Sequence, residues 1–258
     1  MKGLYRLIGN EFAKWLPVVS LLCAAAVIVP LLLLRSRLKD YNEFAVNARF
    51  EDVYASSGSI LLFAVLLALA CAYFLVLNYA AYWGSKSIYM YLTLPVRREA
   101  LYFSRLIVFA GCLLCLLAAQ LIGIRLGYAL YVAKVGSYAE GQFVMHNGFF
   151  LAMIRSAYFR MLLPLGPGSI ASTLSIFVAA TAGLYYAAIC ERSKRYYGLA
   201  AVAAAFWFVF RTISYRLSEN GSTYIGTHSL YPNCVLLLAL GGFFVWHGLH
   251  IVKRGAVA

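Results

Sequence analysis

Six long apolar segments constrain the fold of this chain more than any other feature. They lie at residues 16–34, 59–83, 106–133, 170–190, 196–215 and 233–252. A hydrocarbon core about 30 Å thick takes roughly 20 apolar residues to cross as a helix. The alternation of a membrane β-barrel is absent, because Leu61–Leu77 is almost continuously apolar. The sequence predicts an all-α polytopic membrane bundle with six transmembrane helices.

Composition leaves little room for anything else in the 258 residues. Of these, 64% are hydrophobic and 12% are charged, so no large soluble domain is expected. An attached kinase, nucleotidase or DNA-binding domain is therefore excluded, and we expect one transmembrane domain over residues 1–258. The cysteines lie in or beside apolar segments, which argues against a disulfide framework.

We attribute the net charge of +13 to basic residues that orient the helices in the membrane, and we expect no nucleic-acid partner. With the N-terminus inside, the inner side carries twelve basic residues on short segments and the outer side carries eight on longer ones. The inner set is Lys2, Arg6, Lys14, Lys86, Arg97, Arg98, Arg105, Arg192, Lys194, Arg195, Lys253 and Arg254. This bias predicts an integral plasma (inner) membrane protein with both termini cytoplasmic. No cleavable signal peptide is recognisable, so the first span is expected to be retained.

Residues 134–169 form the expected outer segment. Its stretch 143–165 is apolar but contains Arg155 and Arg160, so we interpret it as an amphipathic helix at the outer surface instead of a seventh span. The turn that follows, Gly166–Ser169, predicts the start of the fourth span, with Ser169 as its N-cap.

The N-terminal stretch 1–15 has the pattern of an amphipathic helix. Leu4, Leu7, Ile8, Phe12 and Trp15 share one side, whereas Lys2, Arg6, Asn10 and Lys14 recur on the other. This predicts an interfacial helix that meets lipid phosphate or a cytoplasmic partner. A simple positively charged anchor for the first span is the alternative.

The segment at residues 84–105 is the longest cytoplasmic connection and is too apolar for a solvated turn. Pro95 disfavours helix at Leu94 but is well suited to begin a new helix, whose first turn contains Glu99. We predict two short helices hinged at Pro95. Such a feature can dock on another protein, with Arg97, Arg98 and Glu99 setting the register.

The run from Tyr91 to Ile107 (YLTLPVRREALYFSRLI) resembles the cytoplasmic segment between the second and third spans of type-2 ATP-binding-cassette (ABC) export permeases. In that family a Leu-Pro pair and then Arg-Arg-Glu precede the third helix. The order of elements over the whole chain is also similar. Ser104-Arg105 departs from the Gly-Lys pair of many relatives, and the outer segment is long.

The resemblance implies a permease subunit in which Leu94, Pro95, Arg97, Arg98 and Glu99 form a coupling helix seated on an ATPase. Its implied partners are cytoplasmic ABC ATPase subunits, a second permease chain, identical or related, and membrane lipid. The sequence has no phosphate-loop motif. We therefore expect no enzyme activity and no cofactor in this chain, with ATP and Mg on the partner ATPase.

Arg125 and Arg211 are the charges predicted to lie within membrane depth, and neither has a carboxylate at helical spacing. They either extend to lipid headgroups or face a central pathway, where they would attract an anionic cargo. His247 and His250 have a spacing that could place two imidazoles on one face for a metal. No acidic residue lies nearby in the sequence, so we interpret the two histidines, with Trp246, as part of an interfacial belt. We expect no metal site and no intramembrane hydrolase, because the required motifs are absent.

Taken with the resemblance, these features favour the membrane-spanning subunit of an ABC transporter that exports an amphiphilic substrate, such as a peptide, drug or lipid-like molecule. The alternative is a non-transport integral membrane protein that acts as an immunity or assembly factor.

Overall fold

A computed structural model describes residues 2–39, 49–83, 98–135, 148–194, 196–218 and 227–253. Every regular element in these ranges is an α-helix. In chain order they are α1 (Lys2–Lys39), α2 (Phe50–Ser56), α3 (Ser59–Trp83), α4 (Arg98–Val135), α5 (Phe149–Arg155), α6 (Ala157–Leu162), α7 (Pro167–Arg192), α8 (Tyr197–Ser218) and α9 (Thr227–Lys253).

Six of these helices are long and apolar enough to cross a membrane: α1, α3, α4, α7, α8 and α9. They overlap the six apolar segments of the sequence, and the prediction of an all-α fold with six such helices is confirmed. Many large apolar side chains on them are exposed, among them Leu21, Leu61 and Phe206. These features are consistent with an integral membrane protein.

The N-terminal stretch is helical, but it is not set apart from the first apolar segment. α1 runs without interruption through Pro17 and Pro30. Residues 2–15 therefore extend the first long helix, and a separate interfacial helix is not found. A single buried stripe follows α1 along nearly its whole length. Its members are Leu7, Glu11, Trp15, Val19, Leu22, Ala26, Leu34 and Leu38.

The stretch predicted at residues 143–165 contains two short helices, α5 and α6, in its described part. With seven and six residues they are too short to cross a bilayer. The start of α7 differs in detail from the prediction. Gly166 is the N-cap and Pro167 occupies the first turn, because a proline needs no hydrogen-bond partner for its nitrogen there. Ser169 lies inside the helix instead of capping it.

The chain divides into two compact units, which we describe separately. Unit 1 comprises residues 1–15, 71–111 and 164–258. In it α7 packs closely on α9: a Cβ at Gly241 would lie 2.9 Å from Val178 Cγ1, and one at Gly183 would lie 3.3 Å from Phe244 Cε2. Glycine at these two positions therefore allows the helices to approach each other.

Unit 2 comprises residues 16–70 and 112–163. Its core is rich in aromatic rings, including Phe50, Tyr54, Tyr131 and Phe159. Buried Gln120 of α4 donates hydrogen bonds to the hydroxyls of Tyr54 (2.9 Å) and Tyr158 (3.2 Å). Burial raises the pKa of Tyr54 to about 12, against the smaller effect of its hydrogen bonds. This core joins α4 to the short helices α2 and α6.

Candidate coupling site

Arg105 on α4 is the centre of a buried ionic cluster in unit 1. Its guanidinium Nε lies 4.0 Å from the Glu11 carboxylate on α1, and only 8% of Arg105 is exposed. Lys14 also pairs with Glu11, at 3.1 Å. Because a buried charge is costly without an opposite charge nearby, this cluster holds the beginning of α4 against α1.

Asn78 extends the cluster to α3. Arg105 Nη1 donates a hydrogen bond of 3.2 Å to Asn78 Oδ1, and Asn78 Nδ2 donates one of 2.9 Å to the carbonyl of Phe74. Both polar ends of the Asn78 amide are therefore used, and its orientation is fixed. The guanidinium is thus held by side chains from two other helices.

Aromatic rings pack beside this cluster. Trp15 of α1 lies edge-on to Tyr73 of α3, with ring centroids 5.0 Å apart, and also contacts Phe74 and Phe109. Phe74 and Phe109 are stacked at 4.0 Å, and the Tyr73 hydroxyl donates to the Lys14 carbonyl at 3.2 Å. Aromatic pairs of this kind contribute about 0.5–1.5 kcal/mol each beyond their buried area.

Tyr102 connects the first turns of α4 to α7 and α9. It is 1% exposed, and its ring is stacked on Tyr185 of α7 with centroids 4.8 Å apart. Its hydroxyl would lie 3.2 Å from a Cβ at Gly248 of α9. Only a residue without a side chain leaves this space free, so Gly248 lets α9 approach Tyr102.

Glu99 is the one predicted coupling residue whose side chain the structure describes. It forms a salt bridge of 2.9 Å with Lys253 at the end of α9, and both groups are about half exposed. Arg98 is the first residue of α4. Leu94, Pro95 and Arg97, and with them the predicted hinge at Pro95, lie outside the described residues.

Arg125 and Arg211 belong to different units. In unit 2 the Arg125 guanidinium lies over the rings of Tyr128 (5.8 Å) and Phe149 (5.2 Å), an arrangement in which the ring quadrupoles attract the cation. In unit 1 Arg211 is an exposed residue of α8. The role of these two arginines in one substrate pathway therefore stays a prediction.

The two histidines of α9 have separate partners. His247 Nδ1 is 2.6 Å from the Tyr186 hydroxyl, and its ring stacks on Phe243. The His250 ring stacks on Trp246. Within the described ranges no group of three or more His, Cys, Asp or Glu side chains could hold a metal ion.

Sequence reasoning did not identify Glu11, Asn78 or Tyr102 as members of one site. A signal for Glu11 was present: it follows Leu4 and Leu7 and precedes Trp15 at helical spacing, so a carboxylate lies on the apolar stripe of the helix. Such a residue requires a buried partner. The partner, Arg105, is 94 positions away, so periodicity along one helix could not reveal it.

Comparison with known proteins finds no matching family model, no matching curated protein and no matching solved structure.

Proposed function

We propose that this chain is the membrane-spanning permease subunit of an ABC exporter that moves an amphiphilic substrate with ATP hydrolysed by separate subunits. The resemblance at Tyr91–Ile107 supports the family, and the six long apolar helices supply the membrane part. The chain would work as a pair, with an identical or a related permease.

The observation that carries this proposal is the position of the first two turns of α4, residues 98–105. Arg105 contacts α1 and α3, Tyr102 contacts α7 and lies against α9, and Glu99 pairs with α9. The segment that would dock on an ATPase is therefore continuous in sequence with residues whose side chains contact four other helices of unit 1. A displacement of the docked segment would move these side chains and, through them, all four helices.

The mechanism follows from these contacts. ATP-driven closure of two ATPase subunits would displace the docked segments, and the buried cluster around Arg105 would transfer the displacement to α1 and α3. ATP and Mg would remain on the partner subunits. Arg125 and Arg211 would favour a cargo that carries an anionic group.

The first experiment purifies the tagged chain from its native host in mild detergent, identifies copurifying proteins by mass spectrometry and measures vanadate-sensitive ATP hydrolysis. We expect a stoichiometric ATPase that contains a phosphate-loop motif. A chain that purifies alone and inactive after several gentle extractions would contradict the proposal and favour the immunity or assembly alternative.

A charge-reversal variant tests the docking site. Arg97→Glu with Arg98→Glu should weaken association with the ATPase and leave membrane insertion intact, because it reverses two charges that set the register. The matched control, Arg37→Glu with Arg49→Glu, makes the same change outside this segment and should leave association unchanged. Association and transport that both survive the first variant would exclude residues 97 and 98 as the docking site.

A further inference from the structure

A cavity of about 560 Å³ in unit 2 is lined by the last turns of α1 and α4. Three of the residues that line it are cations: Arg35 and Lys39 of α1, and Lys134 of α4. Arg35 and Lys39 are four positions apart, so they extend from the same face of their helix. No acidic residue lines the cavity among the residues that the structure describes.

The cavity also has an apolar layer. Leu31 precedes Arg35 by four positions on α1, and Leu130 precedes Lys134 by four positions on α4. On each helix the apolar residue therefore lies about 6 Å further into the apolar segment than the cation does. Leu130 is 41% exposed, so this layer is accessible from outside the unit. The cavity is therefore charged at one end and apolar at the other, which matches the two parts of an amphiphilic molecule.

Arg35 and Lys39 together carry more positive charge than the end of their helix requires. The C-terminal end of a helix carries a partial charge of about −0.5, so the end of α1 offsets about half of one of these two cations. More than one positive charge therefore remains on this side of the cavity, and an anion bound there would relieve the repulsion between Arg35 and Lys39.

We propose that this cavity binds the phosphodiester headgroup of an anionic phospholipid, with the first methylenes of its acyl chains against Leu31 and Leu130. Sites for small ligands usually have volumes of about 300–1,000 Å³, and the present one accommodates a headgroup but not a whole lipid. The acyl chains would continue along the apolar surfaces of the two helices into the bilayer. The proposal requires that the chain lies in a membrane, but it does not depend on transport or on an ATPase partner.

Native mass spectrometry of the full-length protein in detergent tests the site. The protein is incubated with phosphatidylglycerol or with phosphatidylcholine of the same acyl composition. We expect preferential retention of phosphatidylglycerol. Arg35→Gln with Lys39→Gln should lower that retention by about tenfold or more, and Lys134→Gln by about fivefold, from the attraction that each basic residue exerts on an anionic lipid.

Arg37→Gln is the matched control, because Arg37 belongs to the same turn of α1 but does not line the cavity. It should leave retention unchanged. Equal retention of the two lipids by the unaltered protein would overturn the proposal, and so would an equal loss in Arg37→Gln. If the double variant does not fold, Lys39→Gln alone carries the test, since its side chain is exposed; unchanged retention in that variant would likewise overturn the proposal.

Discussion

Arg105 is almost fully buried, and what surrounds it determines what its removal would cost. Glu11 supplies the opposite charge and Asn78 a neutral acceptor. The Glu11 carboxylate has a second cation, Lys14, that is partly exposed. The two cations that pair with Glu11 are therefore unequal, because the Lys14 side chain is 41% exposed and the Arg105 side chain is 8% exposed.

This asymmetry predicts that Glu11→Leu destabilises the protein more than Lys14→Leu does. We expect Glu11→Leu to lower the free energy of unfolding by about 3 kcal/mol, because it removes the carboxylate that pairs with a buried cation, and Lys14→Leu by less than about 1 kcal/mol, because Lys14 is partly exposed. Chemical unfolding in detergent measures both. Equal losses would contradict the asymmetry.

A double-mutant cycle provides the control. Glu11→Leu combined with Arg105→Met removes both charges, so the combined loss should be smaller than the sum of the single losses. Additive losses would mean that the two residues do not interact.

At the level of the elements, the crossing of α1 and α4 depends on one glycine. A Cβ at Gly123 would lie 3.0 Å from the Ala26 carbonyl oxygen and 3.4 Å from Val27 Cα. Both are backbone atoms of α1, which cannot rotate away as a side chain can. Gly127, one turn further along α4, faces Leu34 Cδ2 at 3.2 Å, where the contact is a movable side chain.

Gly123→Ala should therefore destabilise the protein by about 1–2 kcal/mol, because the added methyl forces the helices apart. Gly111→Ala on the same helix meets nothing within 4 Å and should be neutral or stabilising by up to about 1 kcal/mol through helix propensity. Thermal unfolding in detergent compares the two variants. A Gly123→Ala protein as stable as the Gly111→Ala protein would show that α1 and α4 do not cross so closely.

At the level of the whole molecule, the distribution of basic residues predicts which connections share a side of the membrane. In variants without native cysteines, Arg49→Cys should react with an impermeant maleimide in intact spheroplasts, and Lys194→Cys only after permeabilisation. The reason is the excess of Lys and Arg on the segments assigned to the inside. The reverse labelling pattern would place both termini outside and would contradict the assignment.

The sequence was sufficient to predict the number and class of the long helices, because about twenty uninterrupted apolar residues have few alternatives to a spanning helix. It was not sufficient to predict that residues 2–15 and the first apolar segment form one continuous helix. The amphipathic pattern of residues 2–15 suggested a separate interfacial helix, yet α1 continues through Pro17 into the apolar segment. The cluster of Glu11, Asn78 and Arg105 joins three helices, and contacts between distant helices leave no periodic signal in any one of them.

The buried positions of α1 within unit 2, from Val19 to Leu38, restrict changes in the length of this part of the helix during evolution. One residue inserted between Ala26 and Leu34 would turn Leu34 by about 100° relative to Ala26. Ala26 could then still face Gly123, but Leu34 would no longer face Gly127. Only insertions near a whole number of turns would keep the face, and each lengthens the helix by 1.5 Å per residue. Diverged versions of this chain should therefore vary in the length of their connections and hold α1 free of insertions and deletions.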